Sequence, residues 1–186
     1  TEYLSDKTLI KKNPAMLIFN KKLSVSPLTT HLPVKDVNKK ISIKKILNHV
    51  ELINAFYQDK FKKTPKIAIT GLNPHCESNY MSSEEDKYII PAIKVLIKRN
   101  YKIKGPFPAD TIFMRDKIKK FDVIIGMYHD QVLAPIKTLF GFDAINITLG
   151  LPFIRVSPDH GPNIEMLGKN KSDPTSLIKA LKFLDK

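Results

Sequence analysis

The sequence has one cysteine, Cys76, in 186 residues. A lone thiol excludes an internal disulfide framework and suits a reducing compartment, so the expected location is the cytoplasm. No apolar run approaches the roughly 20 residues of a membrane-spanning helix, and no signal-peptide pattern opens the chain. No membrane partner is therefore expected. Arginine is nearly as scarce: of 31 basic residues, only Arg99, Arg115 and Arg155 are arginine. Arginine is the usual reader of base edges and the usual bidentate phosphate clamp. Its scarcity argues against a nucleic-acid partner, although a net charge of +13 invites one. The lysines are scattered as pairs and singles, as on a solvated surface whose positive field attracts small anions. No repeat or low-complexity linker divides the chain. No G-x-G-x-x-G follows any expected strand, which disfavours a Rossmann dinucleotide site.

With 42% hydrophobic residues, thirteen prolines and seven glycines, the composition is that of a soluble globular protein. The length suffices for one domain with a core, or for one domain and part of another. Residues 15–20 and 23–28 read as short strands joined as a hairpin. Ser42 is suited to cap a helix running to about Lys62. Residues 66–70 form a compact strand, and Glu84 and Glu85 open a further helix with charges matched to its positive end. Residues 101–104 and 122–127 read as strands, with a short helix over 114–120 between them. A helix over 132–140 would carry Pro135 in its first turn. A strand over 144–148, a helical stretch near 164–167 and a helix from Pro174 complete the chain. Strands alternating with helices predict an α/β layered domain with a parallel or mixed sheet. Ligand groups in such folds gather beyond strand ends. His75 and His129 each follow an expected strand and Asn146 lies in a later one, which suggests a shared edge.

Several polar groups sit where hydrocarbon would be expected. His31 and His129 are 98 positions apart, so their spacing carries no information; they fit either a metal pair or two ordinary hydrogen-bonded histidines. Asp130 suits either the orientation of such a ligand or the cap of the next helix. Lys137, Asn146 and Arg155 fit a pocket for an anionic substrate, or equally a surface lysine, a satisfied strand amide and a structural ion pair. Arg155 lies among Phe153, Ile154 and Val156, and a charge in an apolar setting must find a partner, either a ligand or another side chain. Asn73-Pro74-His75-Cys76-Glu77 is a polar turn whose neighbouring side chains need not converge. Asp159-His160-Gly161 precedes a helical stretch and fits either a phosphate- or ribose-binding loop or a plain turn.

Taken in order, TEYLS, TTHLPVKDV, GLNPHCES, GPFPADT, MYHDQVLAPIK and NITLGLPFIRVSPDHG closely resemble the 4-hydroxythreonine-4-phosphate dehydrogenase family of vitamin B6 biosynthesis. The resemblance runs from Thr1 to the C-terminus and is most specific between Met127 and Gly161. It implies a three-layer α/β/α fold of the isocitrate and isopropylmalate dehydrogenase type, working as a homodimer in the cytoplasm. It implies a divalent metal (zinc, magnesium or cobalt) held by histidines and shared across the dimer interface. His31 and His129 match two of these; the third is expected in a G-H-T-E motif, of which Thr1-Glu2 supplies the last two letters. Lys137, Asn146 and Arg155 match substrate-binding positions. Asp159, His160, Gly161 and Asn163 resemble the segment receiving NAD or NADP, although Pro162 and Asn163 depart from the usual D-H-G-T-A.

The implied reaction is oxidation of the secondary alcohol of 4-phosphooxy-L-threonine to a β-keto acid, which loses CO2 to give 3-amino-2-oxopropyl phosphate. Asp110 and Asp130 are the candidates for proton transfer or for orienting a ligand. A related dehydrogenase of a threonate or erythronate phosphate is the alternative; a basic nucleic-acid-binding module is a distant one. The resemblance also implies that the chain is the C-terminal portion of a longer enzyme. Residues 1–130 would be most of one domain and residues 131–186 the segment completing the other. The portion alone is expected to be inactive.

Overall fold

The computed structural model describes residues 7–8, 14–76, 83–161 and 164–185. Thr1-Glu2 and Asn163 lie outside them. The strands β1 (Ala15–Phe19) and β2 (Ser24–Pro27) form the expected antiparallel hairpin, with Ile18 opposite Val25. A short helix α1 (Val34–Val37) leads to α2 (Ile43–Phe61), where the Ser42 hydroxyl accepts the Lys45 N–H at 3.2 Å. That bond satisfies one of the donors a helix start leaves unpaired. Ile46, Val50, Ile53 and Tyr57 recur at helical spacing on its buried side.

β3 (Ile67–Thr70) is followed, after a loop, by a π-turn (Glu85–Ile89) and α3 (Ile90–Lys98). Pro91 has no N–H to donate to Lys87, and the turn before it is wound wider. β4 (Ile103–Phe107), α4 (Ala109–Ile112), α5 (Arg115–Ile118), β5 (Val123–Gly126), α6 (His129–Phe140), β6 (Ile145–Leu149), β7 (Arg155–Pro158) and α7 (Thr175–Leu184) follow. No helix among the described residues is long and apolar enough to cross a membrane.

The seven strands form one mixed sheet in the order β4-β3-β5-β2-β1-β6-β7. β4, β3, β5 and β2 are parallel, whereas β1 opposes both its neighbours and β7 opposes β6. β6 therefore runs with the parallel four. Alternate residues feed opposite faces, as strand geometry requires. Leu17, Ile69, Ile125 and Ile147 pack under α2, α3 and α7, whereas Ile18, Val25, Ala68 and Ile124 pack under α4, α5 and α6. The result is the expected α/β/α layering, with strands drawn from both sides of residue 130.

Three details differ from the sequence reading. α6 begins at His129 rather than Val132, so Pro135 lies inside it and His129-Asp130 form its first turn. β4 continues through Gly105-Pro106, which an edge strand tolerates, with a register shift against β3 between Ala68 and Thr70. β7 was not expected as a strand; all four of its residues are half-buried, so it lacks the alternation that marks a strand.

Candidate active site at the carboxyl ends of the parallel strands

β2 and β5 are neighbours in register, with Pro27 opposite Gly126. The pairing continues past both strands: the Leu28 N–H donates to the Gly126 carbonyl at 2.8 Å, and the Thr29 hydroxyl to the Met127 carbonyl at 2.7 Å. His31 follows one strand end by four residues and His129 follows the other by three (31 − 27 and 129 − 126). The fold thus brings the two imidazoles together within one chain, ring centroids 5.8 Å apart and planes tilted by 40°. His129 Nδ1 lies 2.6 Å from Asp130 Oδ1. With Nδ1–H donating to that carboxylate, Nε2 presents its lone pair, the arrangement in which a ligating histidine is oriented by a neighbouring acid.

The pair fits a divalent ion. Two imidazoles each about 2.0–2.1 Å from a shared zinc through one nitrogen have ring centres roughly 5–6 Å apart. Among the described residues, no cluster of three or more His, Cys, Asp or Glu side chains is assembled to hold an ion. A further histidine nevertheless follows the adjacent parallel strand. His75 lies in the turn after β3, is exposed, and has φ 59°, with φ 57° at Cys76 beside it. Left-handed conformations of non-glycine residues cost about 1–2 kcal/mol each. They persist where their surroundings hold them, often at functional sites.

The surroundings do hold this loop, through two residues whose role the sequence reading missed. Glu85 accepts the Leu72 N–H at 2.7 Å, the Asn73 N–H at 2.8 Å and the Asn73 amide at 2.7 Å. Burial by itself would raise its carboxyl, but these donors, those of Asn73 foremost, hold it below the ordinary value. Gln131 accepts from the Met127 N–H at 2.7 Å and the Thr70 hydroxyl at 2.9 Å, and donates to the Gly71 carbonyl at 2.8 Å. Sequence offered one signal, a polar residue at the start of an otherwise apolar helix.

Lys137, Asn146 and Arg155 occupy the α6 side of the sheet. Asn146 pairs with Ile18 of that core and with Ser157, while Thr148 pairs with Arg155. The Arg155 guanidinium donates to the Thr148 hydroxyl at 2.8 Å. Its neighbours Phe153 and Ile154 are exposed, so the apolar setting read from the sequence is not a buried one. The Asn146 Oδ1 is buried without a hydrogen-bond partner, an acceptor whose need is unmet. Lys137 donates to Asp159, to its carbonyl at 2.6 Å and its carboxylate at 3.3 Å.

Asp159 is buried. Burial pushes its carboxyl above the ordinary value, with Lys137, His129 and His160 opposing that rise. Its N–H donates to the Ser176 hydroxyl at 2.8 Å, which itself donates to the Ala144 carbonyl at 2.6 Å. Both polar ends of Asp159 are thus committed within the protein. His160 is exposed against Phe142, and Gly161 is exposed with open space around it. Asp110 is exposed in the first turn of α4, and Asp130 is exposed beside His129.

The family model of the pyridoxal phosphate biosynthetic protein PdxA matches residues 1–184. A 4-hydroxythreonine-4-phosphate dehydrogenase of Sulfurihydrogenibium sp. (strain YO3AOP1) is 47% identical over 185 residues, covering 98% of this chain and 56% of that protein. Its counterpart in Aquifex aeolicus (strain VF5) is 41% identical, covering 100% and 57%. The crystal structure of the Klebsiella pneumoniae 4-hydroxythreonine-4-phosphate dehydrogenase superposes with a TM-score of 0.82 at 31% identity, over 97% of this chain and 55% of that one. The chain therefore spans about half the length of the curated relatives it matches.

Proposed function

The chain belongs to the family of the pyridoxal phosphate biosynthetic protein PdxA, and from that membership we propose that it is part of an NAD-dependent, metal-assisted dehydrogenase of 4-phosphooxy-L-threonine. The observation carrying the proposal is the His31–His129 pair, 5.8 Å apart between ring centroids, with His129 Nδ1 engaged by Asp130. His31 and His129 would hold a divalent ion. The third donor of the family reading is the histidine of the G-H-T-E motif, of which Thr1-Glu2 supplies the last two letters. Such an ion, when bound, supplies Lewis acidity toward the substrate hydroxyl.

The chain's own residues do the remaining work. Arg155 and Lys137 offer positive charge to the phosphate and carboxylate, and the unmet Asn146 acceptor suits a substrate hydroxyl or amine. Asp159 anchors Lys137 from beneath. His160 and Gly161 are exposed and open to the nucleotide, and Asn163, outside the described residues, stays with them as an expected contact. Asp130 orients His129 and, being exposed, can pass a proton to water; Asp110, also exposed, is the other candidate for that role. The overall reaction moves hydride from the carbinol carbon to nicotinamide and the hydroxyl proton to a base, after which the β-keto acid loses CO2. As in the family reading, the working unit is a homodimer sharing the metal across its interface. Lys137 and Arg155 recognise anionic groups as such, so a phosphorylated hydroxy acid without the amine is the second reading.

The test uses the complete enzyme. Arg155→Ala should lower kcat/KM on 4-phosphooxy-L-threonine by at least tenfold, and His129→Ala should abolish zinc binding measured by competition with a chelator dye. Unchanged values for both variants would remove the site. Faster turnover of threonate 4-phosphate than of the amino acid would instead favour the second reading.

A further inference from the structure

We propose that Ser176 is a positioning residue: its hydroxyl, set between Ala144 and Asp159, turns Asp159 toward α6 and through it fixes the Lys137 ammonium in the anion pocket. The inference rests on the reading of Lys137 as a donor to an anionic group of the substrate. β6 and β7 are antiparallel, with Asn146 opposite Ser157 and Ile145 opposite Pro158. The next pair in that register is Ala144 with Asp159 (145 − 1 and 158 + 1). There the backbone ladder gives way to a side chain. The Asp159 N–H donates to the Ser176 hydroxyl at 2.8 Å, and that hydroxyl donates to the Ala144 carbonyl at 2.6 Å. One oxygen stands where a direct bond between the strands would otherwise form. A hydroxyl suits the task because it donates and accepts at a single atom.

The inserted hydroxyl also spaces the two strands. A direct N–H···O bond spans about 2.9 Å, whereas two bonds in series, 2.8 and 2.6 Å, hold the Asp159 nitrogen farther from the Ala144 oxygen. Released from the ladder, Asp159 offers Lys137 both its carbonyl, at 2.6 Å, and its carboxylate, at 3.3 Å. The Asp159 side chain is 3% exposed and that of Lys137 is 40% exposed. Two of the ammonium's three N–H groups are thus held from the buried side, and the third is left for a ligand. An ammonium already held in place loses less freedom on binding an anion than one on a free, flexible stem. The frame behind Ser176 is firm. Ser176 is fully buried in the first turn of α7. Three residues on, Lys179 pairs with the Asp143 carboxylate, and the Asn20 amide donates to the Asp143 carbonyl. α7 is therefore tied to two successive residues on the way into β6. Alanine at position 176 would leave the Asp159 N–H and the Ala144 carbonyl without partners in a buried place. Closing that gap would draw Asp159 back to the ladder and away from Lys137.

The experiment measures steady-state kinetics of the complete enzyme with 4-phosphooxy-L-threonine and NAD. It compares Ser176→Ala, Lys137→Ala and the double variant, each below its thermal midpoint. Ser176→Ala should raise the KM for 4-phosphooxy-L-threonine about tenfold, the scale of one hydrogen bond to a charged group. It should leave kcat nearly unchanged, because the ammonium serves ground state and transition state alike. In the Lys137→Ala background the same substitution should add nothing, since its effect runs through the ammonium. Ser176→Cys keeps a weak donor and acceptor and should fall between wild type and Ser176→Ala. Should Ser176→Ala fail to fold, Ser176→Cys carries the comparison in both backgrounds. A wild-type KM in the Ser176 variants would overturn the inference, as would equal effects with and without Lys137. An effect confined to the KM for NAD would overturn it too, since Ser176 would then support the nucleotide segment alone. Lys137→Ala with a wild-type KM would instead overturn the reading of Lys137 as an anion donor.

Discussion

His49 and His129 are the same side chain in opposite circumstances. His49 is 6% exposed within α2, and its Nε2 lies 2.6 Å from the Ser26 hydroxyl, which donates onward to the Met16 carbonyl. Burial, with Lys45 adding repulsion, lowers its pKa to about 3. An unfolded chain protonates this imidazole near its ordinary value of about 6.5, whereas the native protein resists until about 3. The unfolded state therefore binds more protons through that window. The stabilising term is full above about pH 6.5 and falls as pH is lowered, by up to about 1.4 kcal/mol per pH unit. The urea midpoint should drop between pH 6.5 and pH 4, and His49→Gln should flatten that drop; an equally steep profile in the variant would assign the sensitivity elsewhere. Sequence could not separate His49 from His129, because both follow mixed neighbours. What distinguishes them is the layer each one faces. His31 and His129 were legible as candidate donors by chemical type. Arg155 was legible as a charge in need of a partner, and Thr148 supplies one. Asp159 was read as part of the nucleotide segment; what the sequence did not show is that its carboxylate and N–H engage Lys137 and Ser176.

Among elements, α6 carries most of the site. Its start was misread because Tyr-His-Asp-Gln resembles a loop, and only the junction with β5 makes it a helical turn. That junction depends on Gly126, where a Cβ would approach Val132 Cγ1 to 2.5 Å. Gly126→Ala should therefore cost about 1–3 kcal/mol through overpacking. Because the strain falls on the first turn of α6, it should also weaken metal binding. Urea denaturation checks the first effect and Co2+ titration the second; a variant of wild-type stability would show that Val132 can turn aside. By contrast α2 was readable almost to the residue, since Ser42 is a strong cap and the apolar stripe is regular. β7 was not readable, because its place at the edge gives it no consistently buried face.

At the scale of the molecule, the parallel strands β3, β5 and β2 lie side by side and release His75, His129 and His31 at one end of the sheet. The relatives that match this chain are nearly twice its length. Residues Thr1–Lys186 by themselves are accordingly expected to show no NAD-linked turnover of 4-phosphooxy-L-threonine. Steady NADH formation by the isolated segment, followed at 340 nm, would contradict that expectation. The α/β class, the hairpin, the capped helix and the set of polar residues worth attention were determined by the sequence itself, because caps, periodicity and side-chain chemistry act over a few residues. Tertiary structure alone decided which of those residues meet. His31 and His129 are neighbours because two strands whose paired residues lie 99 positions apart stay paired past their ends, and the Gln131 amide spans strands with no local relation in the chain. Long-range pairing leaves no local trace, since each partner's side chains obey the same alternation whichever strand lies beside it.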